Sequence, residues 1–420
     1  MKCDLPNKIF PKLFPPIRFT EPILRPSGIL TWEGRNIHSN FVVKNEEKIL
    51  IYYNGPRIRW GGIGVAYSLN GRLFVKYRDN PILKPDKNEE ALWKCCVLKM
   101  GSKDYRMWYG VFKKGKGYVN YAYSSDGLMW SKYASNPILT PGNAGAFDEE
   151  GVYTFRVMYD RSTDKFIGVY GSKYGLIGLA ISMDGITWRK FDENPILKPI
   201  SNTWEEGEIF PMYITKFNDT YVLFYEGNEK FGSLNWKIGI AYSLDLKNWK
   251  RDPRNPIFSP CIGNFDEKSV SDPTPIIAQD RIYLYYGAFD KLNKGSVGLV
   301  LIPLEKEITD YFMSTYGIWN NIEVKEDTYS IGIVCPLYKK VINLKSKMPG
   351  NLKVEVKFKG DERYKIFDII PVKETCEYTL PSNVYAFRIS YDRTAKISAL
   401  CRYVATHISG IEPDDIKQNK

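Results

Sequence analysis

Histidine is almost missing from this 420-residue chain: only His38 and His407 occur. That sets aside histidine-built metal sites and Ser-His-Asp triads. The seven cysteines are odd in number and none falls in a Cys-x-x-Cys pair. Metal-ribbon and thioredoxin-type uses fall away, and the thiols read as reduced, small apolar residues. Apolar runs long enough to span a bilayer are lacking, and Asp4, Pro6, Lys8, Pro11 and Lys12 interrupt the stretch where a signal peptide needs an unbroken apolar segment. Long helical periodicity is lacking too. The chain reads as all-β, soluble and cytoplasmic, with no metal or cofactor called for. Catalysis is left to carboxylates, hydroxyls and tyrosines. The net charge of +11 comes from Lys and Arg scattered among Asp and Glu. A nucleic-acid surface would gather them into a stripe.

What the chain does have is repetition. Asn-Pro-Ile-Leu-Lys-Pro runs from Asn80 to Pro85 and again from Asn194 to Pro199, with variants at Asn136 to Pro141 and Asn255 to Pro260 and a weaker copy at Glu21 to Pro26. The steps are roughly 56 to 61 residues, near the periods that mark propellers and other arrays. Before each of the four fuller copies, alternating apolar residues enter an Asn-Gly, Asp-Gly or Asp-Leu turn, as in Ile177 to Trp188, which is a hairpin signature. A Tyr-rich strand ending in Gly precedes each hairpin, and Trp-Glu or Phe-Asp-Glu phrases open four of the units. Four strands per unit and five units predict a five-bladed β-propeller over 21–304. The phrases stop after Leu304. Short alternating runs set apart by Pro349-Gly350 and Pro381-Ser382 predict a β-sandwich-like domain over 305–409, with 1–20 as an N-terminal extension and 410–420 as a loose tail.

These phrases resemble the five-bladed β-propeller glycosidases of families 130, 43 and 32. Tyr285-Tyr286-Gly287-Ala288-Phe289-Asp290 is similar to the Tyr-Tyr-Gly-Ala-Ala-Asp stretch of family 130, the β-mannoside phosphorylases and mannosidases. The resemblance implies a glycoside hydrolase or phosphorylase acting on a short, β-linked oligosaccharide, and it implies that Asp290 contacts the sugar. One departure stands out. In that family the second blade begins Glu-Asp-Pro-Arg, whose Asp donates the proton, and the matching stretch here is Trp93-Lys94-Cys95-Cys96.

The first strand of each propeller blade lines the axis, so inner-strand acids are the natural candidates for two-carboxylate chemistry. Glu208 and Asp272 are such acids on adjacent units and are the expected catalytic pair. Pro273 should keep Asp272 extended and fix the direction of its carboxylate. Expected substrate ligands are Asp290, Glu226, Asn40 and Arg156, with Asp148 able to replace a lost acid. Arg57, Arg59 and Trp60 form a glycine-flanked loop that could stack a sugar and fork an anion. Yet Asp148 recurs with Glu33, Glu205 and Asp266 at equivalent places, which is what a structural contact in every copy would require. Arg156 is the one cation placed near the funnel, which favours hydrolysis over phosphorolysis. Two alternatives stay open: a carbohydrate-binding propeller without turnover, and a sugar-transfer or sugar-modifying enzyme of polysaccharide metabolism.

Overall fold

A computed structural model describes residues 17–405, apart from 46–47, 56–60, 70, 218, 278–280, 304–314, 325–332, 335–337, 359–360, 362, 381–383, 385 and 394. The chain divides into two units, and the larger, 22–276 with 284–299, holds the repeats. Four of them fold as four-stranded sheets whose strands follow chain order. Their first strands are His38–Lys44, Ala91–Gly101, Val152–Asp160 and Glu208–Phe217, and their second strands are Ile49–Asn54, Asp104–Lys113, Lys165–Ser172 and Thr220–Asn228. Third strands are Ile63–Ser68, Lys116–Ser124, Ile177–Ser182 and Lys237–Ser243, each paired with a fourth of two residues. The fifth repeat supplies Ser269–Ile277, Arg281–Phe289 and Gly295–Pro303. The fold is a β-propeller with one sheet per sequence repeat.

The proline phrase serves as a strand clamp. In each of the four fuller copies the Asn side chain accepts from and donates to the backbone of one third-strand residue: Asn80 on Val65, Asn136 on Tyr121, Asn194 on Leu179 and Asn255 on Ile240. An amide presents donor and acceptor together, so it can stand in for a paired strand. The Leu or Phe of the phrase then bridges the same strand, as in Ile63 with Leu83 and Ile238 with Phe258. In the fifth repeat that bridge comes from the N-terminal copy, Leu24 to Val297. The first phrase in the chain therefore closes the last sheet.

The Asp-Gly turns join neighbouring sheets. Gly71, Gly127 and Gly185 have φ near +75°, and a Cβ on Gly127 would meet Tyr52 Oη at 2.8 Å. Each turn carbonyl accepts from the second strand of a neighbouring sheet: Gly127 from Tyr52, Gly185 from Trp108 Nε1 and Gly71 from Tyr285. The Tyr285 bond ties the fifth repeat to the first. Trp108 is fully buried in the main apolar cluster.

The repeated acids serve the scaffold. Tyr53 donates to Glu33 and Tyr286 to Asp266, each at 2.7 Å, while Lys76, Lys190 and Arg251 from fourth strands pair with Glu33, Asp148 and Glu205. Glu89 fills the place in the second unit, where it accepts from Asn120 and lies 3.5 Å from Lys132. Asp148 thus belongs to a network repeated around the propeller. A buried carboxylate needs a cation or hydrogen-bond donors, and Glu33, Asp148 and Glu205 each find a fourth-strand cation.

The smaller unit, 1–21 with 277–283 and 300–420, builds a four-stranded sheet in the order Thr315–Val324, Ala395–Ala405, Tyr338–Ser346, Thr375–Leu380. Its other strands pair in series, from Ile17–Phe19 through Ile333–Val334 and Ala386–Tyr391 to Gly350–Lys357 and Lys365–Val372. The N-terminal strand at Ile17 therefore belongs with the C-terminal region and not to a separate extension.

Candidate active site

The first strands carry the site because they bulge. Register against the second strand slips between His38 and Phe41, Trp93 and Cys96, Val152 and Phe155, and Pro211 and Tyr213. A bulge bends the strand and re-aims its side chains. Lys94 and Asp272 take φ of 34° and 47°, a left-handed backbone that non-glycine residues rarely adopt. The extended conformation expected for a residue before proline is not what Asp272 shows. Its direction is set by this turn of the strand.

A cavity of about 250 Å³ opens among these bulges. Its floor is polar and buried: Lys94, Thr154, Glu226, Ser271 and Asp272. Its walls are aromatic. His38, Trp93, Phe112 and Tyr153 form a chain of rings with centroids 5.1, 6.0 and 5.4 Å apart, and Phe210 meets Trp236 at 5.7 Å. Phe289 and Leu234 complete the lining.

By register, Lys94, Thr154 and Pro211 fall at equivalent places of three first strands, and Asp272 matches them in sequence. Glu226 stands on the second strand where other units have Asn54, Gly110, Gly171 and Gly287. Small residues are needed there, since a Cβ on Gly171 would press on Phe210 and Thr154. Glu226 is the one acid at that position, and its side chain enters the floor.

Lys94 Nζ lies 2.8 Å from Glu226 Oε1 and 3.1 Å from Asp272 Oδ1. Asp272 Oδ1 is also 3.5 Å from Arg156 Nη2, its Oδ2 accepts from Ser271 Oγ, and its backbone N–H donates to Glu226 Oε2. Two carboxyls and two cations thus meet at one buried pocket floor. Burial pushes the Glu226 carboxyl up to about 7, Lys94 opposing the rise and Asp272 adding to it. Burial also works against charge on Asp272, but Lys94 and Arg156 outweigh it and hold that carboxyl below its ordinary value. Burial lowers His38 to about 4, so its ring is neutral near pH 7. The two acids are split by environment, as acid/base pairs need to be. Thr154 Oγ1 on the floor and Arg156 Nε behind it are buried without a hydrogen-bond partner among the described residues.

The expected residues distribute unevenly. Asp272 and Glu226 meet as described. Arg156 is buried behind Asp272, donates Nη1 to the Cys95 carbonyl and does not line the cavity. Glu208 does not line the cavity: its Oε1 accepts from Asn228 Nδ2 and Gly232 N–H, each at 3.0 Å, and so pins the loop after the second strand. Asp290 caps the last hairpin, accepting from Leu292 and Lys294 N–H. Asn40 lies on the first strand, and its side chain is outside the described residues, as are Arg57, Arg59 and Trp60. Lys94, His38, Thr154 and the aromatic walls were missed in the sequence. A visible signal for Lys94 was a lone charge at the place where the fifth unit carries Asp272.

No family model matches the chain. It is 28% identical over 203 residues to an uncharacterized protein of Mycobacterium tuberculosis, covering 45% of this chain and 66% of that one. The chain thus spans just under two thirds of that relative. It is 24% identical over 310 residues to a 1,2-beta-oligomannan phosphorylase of Thermoanaerobacter sp., covering 68% of this chain and 96% of that enzyme. Among solved structures, the beta-1,2-mannobiose phosphorylase of Listeria innocua superposes with a TM-score of 0.57 at 14% identity, over 69% of this chain and 97% of that one. This likeness is one of fold.

Proposed function

We propose that this chain is a glycosidase-type enzyme that cleaves a short β-linked glycoside at the Glu226–Asp272 floor of a five-bladed propeller. The observation that carries the reading is a pair of buried carboxyls with opposite protonation tendencies, joined through Lys94 at the base of an aromatic cavity. Glycoside cleavage needs one protonated and one ionised carboxyl flanking the bond. Glu226, raised to about 7, is suited to protonate the leaving oxygen. Asp272, kept ionised, is suited to stabilise the positive charge that builds at the anomeric carbon. The aromatic walls offer faces for the apolar side of a sugar ring, and Thr154 Oγ1 offers a hydrogen bond to a hydroxyl.

The relatives named for mannoside phosphorolysis make β-mannosides the first substrates to test. Both cations of the floor are spent on carboxyls, which supports water over phosphate as the acceptor. Free thiols at Cys95, Cys96, Cys261 and Cys376 suit a reducing compartment such as the cytoplasm. The test is incubation with aryl β-mannosides and β-1,2-oligomannosides, with and without phosphate, watched for released sugar. Release abolished by Glu226→Gln supports the proposal, and no release from any substrate overturns it. Lys94, bridging both acids where a proton donor is expected, favours one second reading, a sugar-binding propeller without turnover. Binding with every ligand recovered intact would select it.

A further inference from the structure

The cavity changes character from floor to mouth. Lys94, Glu226, Asp272, Thr154 and Ser271 on its floor are buried, whereas Leu234 at its edge is 56% exposed. Leu234 belongs to the loop after the second strand of the fourth sheet, and the same loop holds Phe231, also 56% exposed. Phe231 lies against Tyr174, 52% exposed, as a tilted ring pair with centroids 6.3 Å apart. Large apolar side chains are costly to leave in water, and a contiguous group beside a binding cavity marks a contact site. The loop is held in place: Glu208 accepts from Gly232 N–H, between Phe231 and Leu234, and Asn228 Nδ2 donates to the Ser233 carbonyl. A buried carboxylate thus fixes an apolar ledge.

Leu234 and Phe231 offer the hydroxyls of an oligosaccharide no hydrogen bond. We propose that the mouth is a subsite for an apolar aglycone. The preferred ligands are glycosides joining a neutral sugar, seated on the Glu226–Asp272 floor, to an alkyl or aryl group lying over Leu234, Phe231 and Tyr174. Lys94 and Arg156 are each already paired with a floor carboxyl, which leaves neither cation to recruit a charged sugar and so favours a neutral one. This inference rests on the sugar reading of the floor, but it concerns binding and stands apart from turnover.

The test is calorimetric binding of methyl, phenyl and octyl β-D-mannopyranosides to the full chain, below the micelle concentration of the octyl compound. Each buried methylene should tighten binding about fourfold. Octyl mannoside is therefore expected to bind more than tenfold tighter than methyl mannoside, and the phenyl arm tells an aryl preference from an alkyl one. In Phe231→Ser/Leu234→Ser, both changes being on exposed side chains, the octyl-to-methyl ratio should collapse toward one. Equal affinity for methyl and octyl mannoside in the wild-type chain overturns the aglycone subsite while leaving the sugar floor standing. No binding of any of the three overturns both. A wild-type octyl preference that the double variant retains overturns the assignment to this ledge.

Discussion

The outer and inner parts of the propeller use the same residue types to opposite ends. At the outer network, Glu33, Asp148 and Glu205 each meet a fourth-strand Lys or Arg, and the arrangement repeats from sheet to sheet. On the inner strands, equivalent places hold Lys94, Thr154, Pro211 and Asp272, all different. A scaffold contact must be satisfied in every copy, whereas a site needs unlike groups facing one another. Repetition marks structure here, and broken repetition marks chemistry.

The strongest test of this contrast removes one floor acid at a time. Glu226→Gln and Asp272→Asn are each expected to lower turnover about 10²- to 10⁴-fold, the usual scale for a lost acid or base. Sugar binding, followed by the fluorescence of Trp93 and Trp236 in the walls, should persist. Similar losses from Asp148→Asn would erase the distinction between the two layers.

Lys94→Met probes stability. Removing the ammonium leaves Glu226 and Asp272 facing each other without it, and breaking a buried ion pair costs about 3–5 kcal/mol. Denaturant unfolding would measure it. Lys190→Met, whose side chain is more exposed than that of Lys94, should cost clearly less.

The pH dependence sharpens the comparison further. Turnover should fall as pH rises through about 7, where Glu226 loses its proton, and this limb should vanish in Glu226→Gln. Stability should move the same way. The raised value means the folded form prefers the protonated acid, so the contribution is complete below the ordinary carboxyl value of 4.5 and is lost as pH rises through about 7. A profile flat from pH 5 to 9 would contradict the floor described here.

The smallest effect is expected at Asp290→Ala. Losing a turn cap should cost about 1 kcal/mol, with KM for a β-mannoside unchanged. A raised KM would instead return Asp290 to the sugar contact that its resemblance to family 130 implies.

Glu208 shows where reading the chain stops. It sits on a first strand as an acid unique to its unit, which is sound reasoning for a catalytic group, yet its carboxylate turns to Asn228 and Gly232. Which way a side chain points on a bulged strand is not written in its neighbours. Glu226 was visible as an acid where the other units carry Asn or Gly, but its partner was not.

The amino-acid sequence by itself determined the repeated sheets. The Asn clamp acts across 15 residues, and the turn and the Tyr-rich strand belong to the same repeat, so each unit carries its own instructions. Only the tertiary structure decided the floor. Lys94 and Glu226 are 132 residues apart, and Glu226 and Asp272 are 46 apart. They meet because successive sheets set bulged strands side by side, where burial raises the Glu226 carboxyl to about 7 while Lys94 and Arg156 hold Asp272 below its ordinary value.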